Sequence, residues 1–135
     1  MPITTSAAQL VAAASQQITT LAAQQVLQAQ QAGMPMLLVD VRDVRELQAE
    51  GTVVGAMHAP RCLLEFWVDP TSPYFKPVFA DESKRLVLFC GLGWRSALAA
   101  KTLQDMGLTN VAHIAGGFEA MKAAGMAVEK RSPPT

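Results

Sequence analysis

From Met1 to Val39 the chain lacks any ionisable side chain, and Gln, Ser and Thr carry its polarity instead. The remainder lacks an excess of either charge, since Lys+Arg and Asp+Glu each total 11 over 135 residues. That balance excludes the basic footprint of a nucleic-acid binder and an acidic tail for a basic partner. No apolar run approaches the length of a membrane span, and the amino end lacks the basic, apolar and small-residue succession of a secretory signal. Neither membrane nor nucleic acid is an expected partner, and the cytoplasm is the expected compartment. Cysteine is scarce as well: Cys62 and Cys90 are too few for a disulfide framework and too far apart for a CxxC redox pair or a zinc knuckle. Each must be read alone, within a chain whose length suits one domain.

What is present is an alternation of helix and strand signals. Ser6 with Gln9 predicts a capping box and a helix to about Gln16. The β-branched run Ile18 to Thr20 favours a short extended piece, and a helix over Ala22 to Gln31 should stop at Gly33. "MLLVDV" (Met36 to Val41) and "RLVLFC" (Arg85 to Cys90) are unalternating apolar runs, the signature of parallel strands covered on both faces. Asp43 and Glu46 make a second capping box, opening a helix that Gly51 ends. "GAMHAP" and "VAHI" read as short strands, "RSALAAKTLQDMG" and "GFEAMKAAG" as helices. The alternation implies an α/β domain with a mostly parallel sheet. Between Cys62 and Ser83 three prolines make the pattern irregular. Five of the eight aromatics (Phe66, Trp67, Tyr74, Phe75 and Phe79) lie there, which predicts a segment folded against the domain rather than a linker. The closing "EKRSPPT" reads as a loose tail.

"VLFCGLGWRSALAA" carries the chemistry. In a parallel α/β sheet ligands bind beyond the carboxyl ends of the strands, and Cys90 stands there, before a helix starting near Arg95. Gly91 and Gly93 would let the loop curl so that backbone N–H groups point back at the sulfur. Such donors, with a helix dipole behind them, favour an anion; thiols in comparable sites titrate between roughly 3.5 and 7.5, against about 8.5 for a free cysteine. A thiolate formed in this way needs no neighbouring base, and the loop holds neither His nor acid. The structural alternative, a buried cysteine before an ordinary glycine turn, does not account for strand, two glycines, arginine and helix in that order. A nucleotide P-loop needs G-K-[ST] at the helix start, where this chain has Trp94, Arg95 and Ser96.

Four stretches together, "LLVDVRDVREL", "GTVVGAMHAP", "CGLGWRSALAA" and "MGLTNVAHIAGGFEAMKAAGMAVE", resemble the single-domain rhodanese (thiosulfate sulfurtransferase) family. The likeness covers about residues 18–130, leaving residues 1–17 as a helical extension and 131–135 as a flexible tail. It implies a rhodanese-like α/β fold: a central, mostly parallel five-stranded sheet with helices on both faces. It also implies that Cys90 is the persulfide-forming nucleophile in a loop of Gly91, Leu92, Gly93, Trp94, Arg95 and Ser96 that binds the substrate. Four residues separate Cys90 from Arg95, a loop that in this family suits sulfur; the related phosphatases and arsenate reductases usually have five. By the same resemblance Asp40 supports the loop from behind and Arg42 lies near the pocket, the alternative being a simple ion pair at a strand end. Arg95 would steady the loop or the anion, Ser96 would cap the helix, and Met121 stands where the family often has Trp.

The implied reaction moves a sulfane sulfur from a small sulfur-containing anion such as thiosulfate, or from a persulfide. The acceptor is a thiol, cyanide or a sulfur-accepting protein, and no metal or organic cofactor is required. A non-catalytic sulfur carrier is the alternative, with arsenate reductase or phosphatase behind it.

The remaining candidates have bland readings beside their functional ones. Cys62 reads first as a small buried residue and second as a sulfur relay. Arg61 reads as a surface arginine or an anion contact, and Trp67 as core or pocket wall. His58 and His113 read as structural histidines. The uncharged amino-terminal segment is expected to pack on its own domain, with a contact between two copies, a homodimer, as the second reading.

Overall fold

A computed structural model describes residues 2–131. Its central sheet has five parallel strands: β1 (Thr19–Leu21), β2 (Met36–Asp40), β4 (Met57–His58), β5 (Arg85–Phe89) and β6 (Val111–Ile114), in the order β1-β6-β5-β2-β4. Six helices surround them: α1 (Ala7–Ser15), α2 (Ala23–Gln31), α3 (Val44–Glu50), α4 (Arg61–Val68), α5 (Trp94–Asp105) and α6 (Gly117–Ala123). Alternate residues of the inner strands feed opposite cores, as the two-residue period of a strand demands. Val39, Leu86 and Leu88 join Leu64, Leu103 and Ala99 on the side of α4 and α5. Leu38, Val87, Phe89 and Ile114 join Val26, Phe118 and Met121 on the side of α2 and α6.

The capping signals are realised as read. Ser6 Oγ accepts from the Gln9 amide at 3.1 Å and Gln9 Oε1 from the Ser6 amide at 2.7 Å. Asp43 and Glu46 close the equivalent box on α3, which Gly51 ends at φ +81°. The extension belongs to the body of the molecule: α1 packs on α5 with Ala14 buried, and Gln104 Nε2 donates to the Gln17 carbonyl.

Three expectations change. The segment after Pro60 is not wholly irregular, because Arg61–Val68 is a helix with Leu64 and Val68 buried one turn apart. The prolines that suggested irregularity begin only at Pro70, and extended Asp69 ends the helix before it. Of the aromatics there, Phe79 is buried and Trp67 packs on the core, whereas Phe66 and Tyr74 stand exposed, edge to face at 6.5 Å. Finally, the start of the closing segment is pinned. β3 (Thr52–Val53) pairs antiparallel with β7 (Val128–Glu129), Lys130 donates to the Ala49 carbonyl and Arg131 to that of Ala56. The rest of the expected tail, 132–135, lies outside the described residues.

One buried ion pair locks the end of β2. Arg42 and Asp40 are both 0 % exposed. Arg42 donates to Asp40 through Nε and Nη2 (2.8–3.2 Å), to the Gly51 carbonyl at 2.7 Å and to Glu50 at 3.1 Å. Thr52 Oγ1 supplies another donor to Asp40 at 2.8 Å. A buried charge stripped of its partner is costly. Arg42→Met should therefore lower unfolding stability by about 3–5 kcal/mol in urea titration, and adding Asp40→Leu should recover most of the loss.

Candidate active site

β5 ends at Phe89, and the chain turns through Cys90–Gly93 into α5. Gly93 caps the helix at φ +114°, where a side chain would be strained, and from there its amide reaches Cys90 Sγ at 3.1 Å. The Ser96 amide, in the first turn, points at the same sulfur from 3.4 Å. Gly91 does not share this constraint: its φ is not positive, and a Cβ there would meet only Arg95 Nη2, at 3.4 Å. One of the two glycines is thus required by backbone shape.

The loop is held from behind by α6. The Phe118 amide donates to the Cys90 carbonyl at 2.7 Å, and the Glu119 amide lies 3.4 Å from the Gly91 carbonyl. Such closeness demands Gly117, at φ +56°, because a Cβ there would fall 2.3 Å from the Cys90 carbonyl oxygen. This contact lies within "MGLTNVAHIAGGFEAMKAAGMAVE", where the glycine pair opening a helix is the one signal of it in the sequence.

Side-chain positions depart from several expectations. Arg95 Nη1 and Nη2 bind Glu46 at 2.6 and 3.0 Å, so Glu46, read only as a capping residue, also anchors the loop arginine. The same bonds hold the Glu46 carboxyl below its ordinary value and raise the Arg95 guanidinium. Ser96 does not cap α5. It lies within the helix, its Oγ 3.3 Å from the Gly93 carbonyl, 3.5 Å from Cys90 Sγ and 3.0 Å from His113 Nδ1. Asp40 is bonded to Arg42 and Thr52, and Arg42 to Asp40, Glu50 and the Gly51 carbonyl, with no hydrogen bond from either side chain to the loop. The Arg42 guanidinium reaches the pocket from behind in two ways, by its hydrogen bond to Glu50 on the pocket border and by lying 4.2 Å over the Phe118 ring of α6.

The pocket in front of Cys90 has a volume of about 600 Å³ and is bordered by Gly91, Leu92, Trp94 and Arg95 with Glu46, Glu50 and Glu119. Leu92 is 74 % and Trp94 56 % exposed, giving it an apolar lip. Glu50 and Glu119 are contributed by α3 and α6, and only folding brings them here. Arg61 and Cys62 lie outside this pocket, in a neighbouring shallow groove with Asp43 and Arg95. Cys62 is exposed rather than buried, because its turn of α4 faces outward. Trp67 is not a pocket wall; it packs on the core beneath Lys76, whose Nζ is 4.5 Å from the ring centre. His58 Nε2 is bonded to the Arg42 carbonyl at 2.7 Å. Among the described residues no group of three or more His, Cys, Asp or Glu is placed to hold a metal, and no helix is long and apolar enough to cross a membrane.

A doubly covered parallel sheet, with a cysteine beyond its central strand and backbone amides aimed at the sulfur, defines an α/β domain of the cysteine-loop kind. Residues 22–124 match the Rhodanese-like domain, and the chain belongs to that family. Among solved structures it is similar to a Rhodopseudomonas palustris protein of unknown function described as a possible tyrosine phosphatase (43% identity, 96% of this chain, 98% of that one, TM-score 0.90). It is also similar to the polysulfide-sulfur transferase homodimer of Wolinella succinogenes (30% identity, 90% and 85%, TM-score 0.67). A thiosulfate sulfurtransferase of Pseudomonas aeruginosa, 22% identical, shares the fold over 92% of this chain and 22% of its own (TM-score 0.76). No curated protein matches.

Two outcomes follow from this geometry. Gly117→Ala should cost about 1–3 kcal/mol in thermal unfolding and slow alkylation of Cys90, because the new methyl displaces the loop. The Glu46–Arg95 pair should be intact above the ordinary glutamate value of 4.5 and lost as pH falls through the lower value of the folded protein. Side-chain NMR signals of Arg95 followed through acid titration measure that release.

Proposed function

We propose that the protein is a sulfurtransferase that carries sulfane sulfur on Cys90. The observation that carries this reading is the pair of amides, Gly93 and Ser96, 3.1 and 3.4 Å from Sγ in a loop with four residues between Cys90 and Arg95. The Cys90 thiolate attacks the outer sulfur of a persulfide or of thiosulfate. The donor's S–S bond breaks, its electron pair leaves with the thiol fragment or sulfite, and Cys90 keeps the transferred sulfur as a persulfide. Loop amides stabilise negative charge there until a thiol, cyanide or a sulfur-accepting protein attacks the outer sulfur and Sγ leaves as thiolate. The Wolinella sulfur transferase, 30% identical, supports the same class of reaction.

Phosphate ester hydrolysis is the second reading, favoured by the likeness to the Rhodopseudomonas protein described as a possible tyrosine phosphatase. Against it stands Arg95, whose terminal nitrogens bind Glu46, in a pocket that also carries Glu50 and Glu119. A tetrahedral dianion would have to win the guanidinium from a charge-assisted, two-pronged contact.

Intact-protein mass decides between them. After incubation with thiosulfate or an organic persulfide the native chain should gain one sulfur atom, lose it to cyanide, and show neither change as Cys90→Ser. A chain that never gains sulfur but hydrolyses an aryl phosphate through Cys90 would establish the phosphatase instead; sulfur gained but not released would mark a carrier.

A further inference from the structure

Behind the sulfur, on the side away from the pocket, lies a line of polar side chains that the reaction above does not use. Cys90 Sγ is 3.5 Å from Ser96 Oγ, Ser96 Oγ 3.0 Å from His113 Nδ1, and His113 Nε2 3.0 Å from Thr20 Oγ1. Sheet register builds it. His113 pairs with Leu88 across β5 and β6, Cys90 follows two residues after Leu88 on the same face, and Thr20 pairs with His113 across β1 and β6. Cys90, Ser96 and His113 are 1, 0 and 4 % exposed, whereas Thr20 stands exposed on the edge strand and does not border the pocket. Thr20 also precedes residue 22, where the family match begins.

We propose that Ser96, His113 and Thr20 form a proton path from the Cys90 thiol to solvent at the β1 edge, separate from the pocket through which a sulfur donor enters. With the thiol protonated, Sγ–H donates to Ser96, the Ser96 hydroxyl to Nδ1, and Nε2–H to Thr20. With the thiolate, every donor is reversed: Thr20 donates to Nε2, Nδ1–H to Ser96, and the Ser96 hydroxyl to the sulfur. The change moves each proton one step, from Sγ to Ser96, from Ser96 to Nδ1, from Nε2 to Thr20 and from Thr20 to a water or buffer base. One proton leaves the sulfur, one appears in solvent, and no bond between heavy atoms changes. His113 only exchanges one neutral tautomer for the other. Burial lowers its pKa from the ordinary histidine value, which disfavours an imidazolium on the way.

Few charges compete for these groups. β1, β6 and α1 contain no ionisable side chain other than His113, while Arg61 and Glu65 of α4 are exposed. On α5, Lys101 is paired with Asp105; on β2, Asp40 is locked to Arg42; Arg85 begins β5 at its far end. Arg95, Glu46, Glu50 and Glu119 border the pocket on the other side of the sulfur. Ser96, which touches Sγ, is the member in contact with the reacting atom; His113 and Thr20 act through it.

The inference rests on Cys90 being the nucleophile of the proposed transfer, yet alkylation tests it without any sulfur donor. In a Cys62→Ser background, iodoacetamide labelling of Cys90 is followed by mass across a pH series. Thr20→Val removes one bond from the thiol and the thiolate states alike, so the labelling profile should keep its midpoint. Exchange between the two His113 tautomers, read by nitrogen-15 relaxation dispersion near that midpoint, should slow about fivefold, the effect of losing one ordinary hydrogen bond on the route. Thr20→Ser should restore the exchange rate. Ser96→Ala should move the labelling profile upward, because a hydroxyl stabilises a thiolate more than a thiol, and adding His113→Gln should then add little. Nitrogen-15 shifts of the His113 ring should pass from the Nε2–H to the Nδ1–H form as Cys90 ionises. Unchanged tautomer exchange in Thr20→Val, Thr20→Ser as slow as Thr20→Val, or a single tautomer throughout would overturn the path. The Thr20 pair, conservative and at an edge, decides the matter even if Ser96→Ala fails to fold. A chain that labels as expected but never takes up sulfur would overturn the transfer reading and leave the path intact.

Discussion

The Phe118 amide donates to the Cys90 carbonyl at 2.7 Å, the shortest of the backbone contacts that hold the cysteine loop against α6. That contact requires Gly117, since any Cβ there would occupy the space of the carbonyl oxygen. Through Phe118 it joins the loop to the rest of the frame: the ring carries the Arg42 guanidinium, Arg42 neutralises Asp40, and Asp40 takes the Thr52 hydroxyl beside the β3–β7 pair. Two buried charges and a tight helix entry thus stiffen the wall against which the cysteine turns. Preorganisation of this sort lets backbone amides meet an anion without having to reorient.

The site has two chemically different sides. Toward solvent, the pocket has an apolar lip of Leu92 and Trp94 and a rim of carboxylates, with its one loop guanidinium bound to Glu46. Toward the interior, the sulfur meets Ser96 and, behind it, a buried histidine satisfied at both ring nitrogens. The first side bears on what approaches the sulfur, the second on its hydrogen-bonding partners. The short strand β1 links that interior side to the edge of the sheet, which gives the uncharged amino-terminal segment a place in the architecture.

Local signals in the chain were read well where local physics governs. The capping boxes at Ser6 and Asp43, the glycine stops and the two apolar strand runs all describe interactions within a few residues, and all are present. Helix α4 escaped because nearby prolines and aromatics masked the Leu64 and Val68 spacing. β7 escaped because two residues carry almost no pattern of their own and gain strand geometry only from β3. Cys62 was placed inside by residue type, whereas the facing of its helix turn puts it outside.

By itself the sequence determined the α/β alternation, the position of Cys90 beyond a buried strand, and the four-residue spacing to Arg95, because each is a property of contiguous residues. Tertiary structure alone decided that Glu46 takes Arg95, that Glu50 and Glu119 face the pocket, that Gly117 admits the loop, and that Thr20 and His113 align behind the sulfur. The last pairing spans 93 positions and the first 49. Strand order and register bring such residues together, and the chemistry of any single segment carries no record of its neighbours across the sheet.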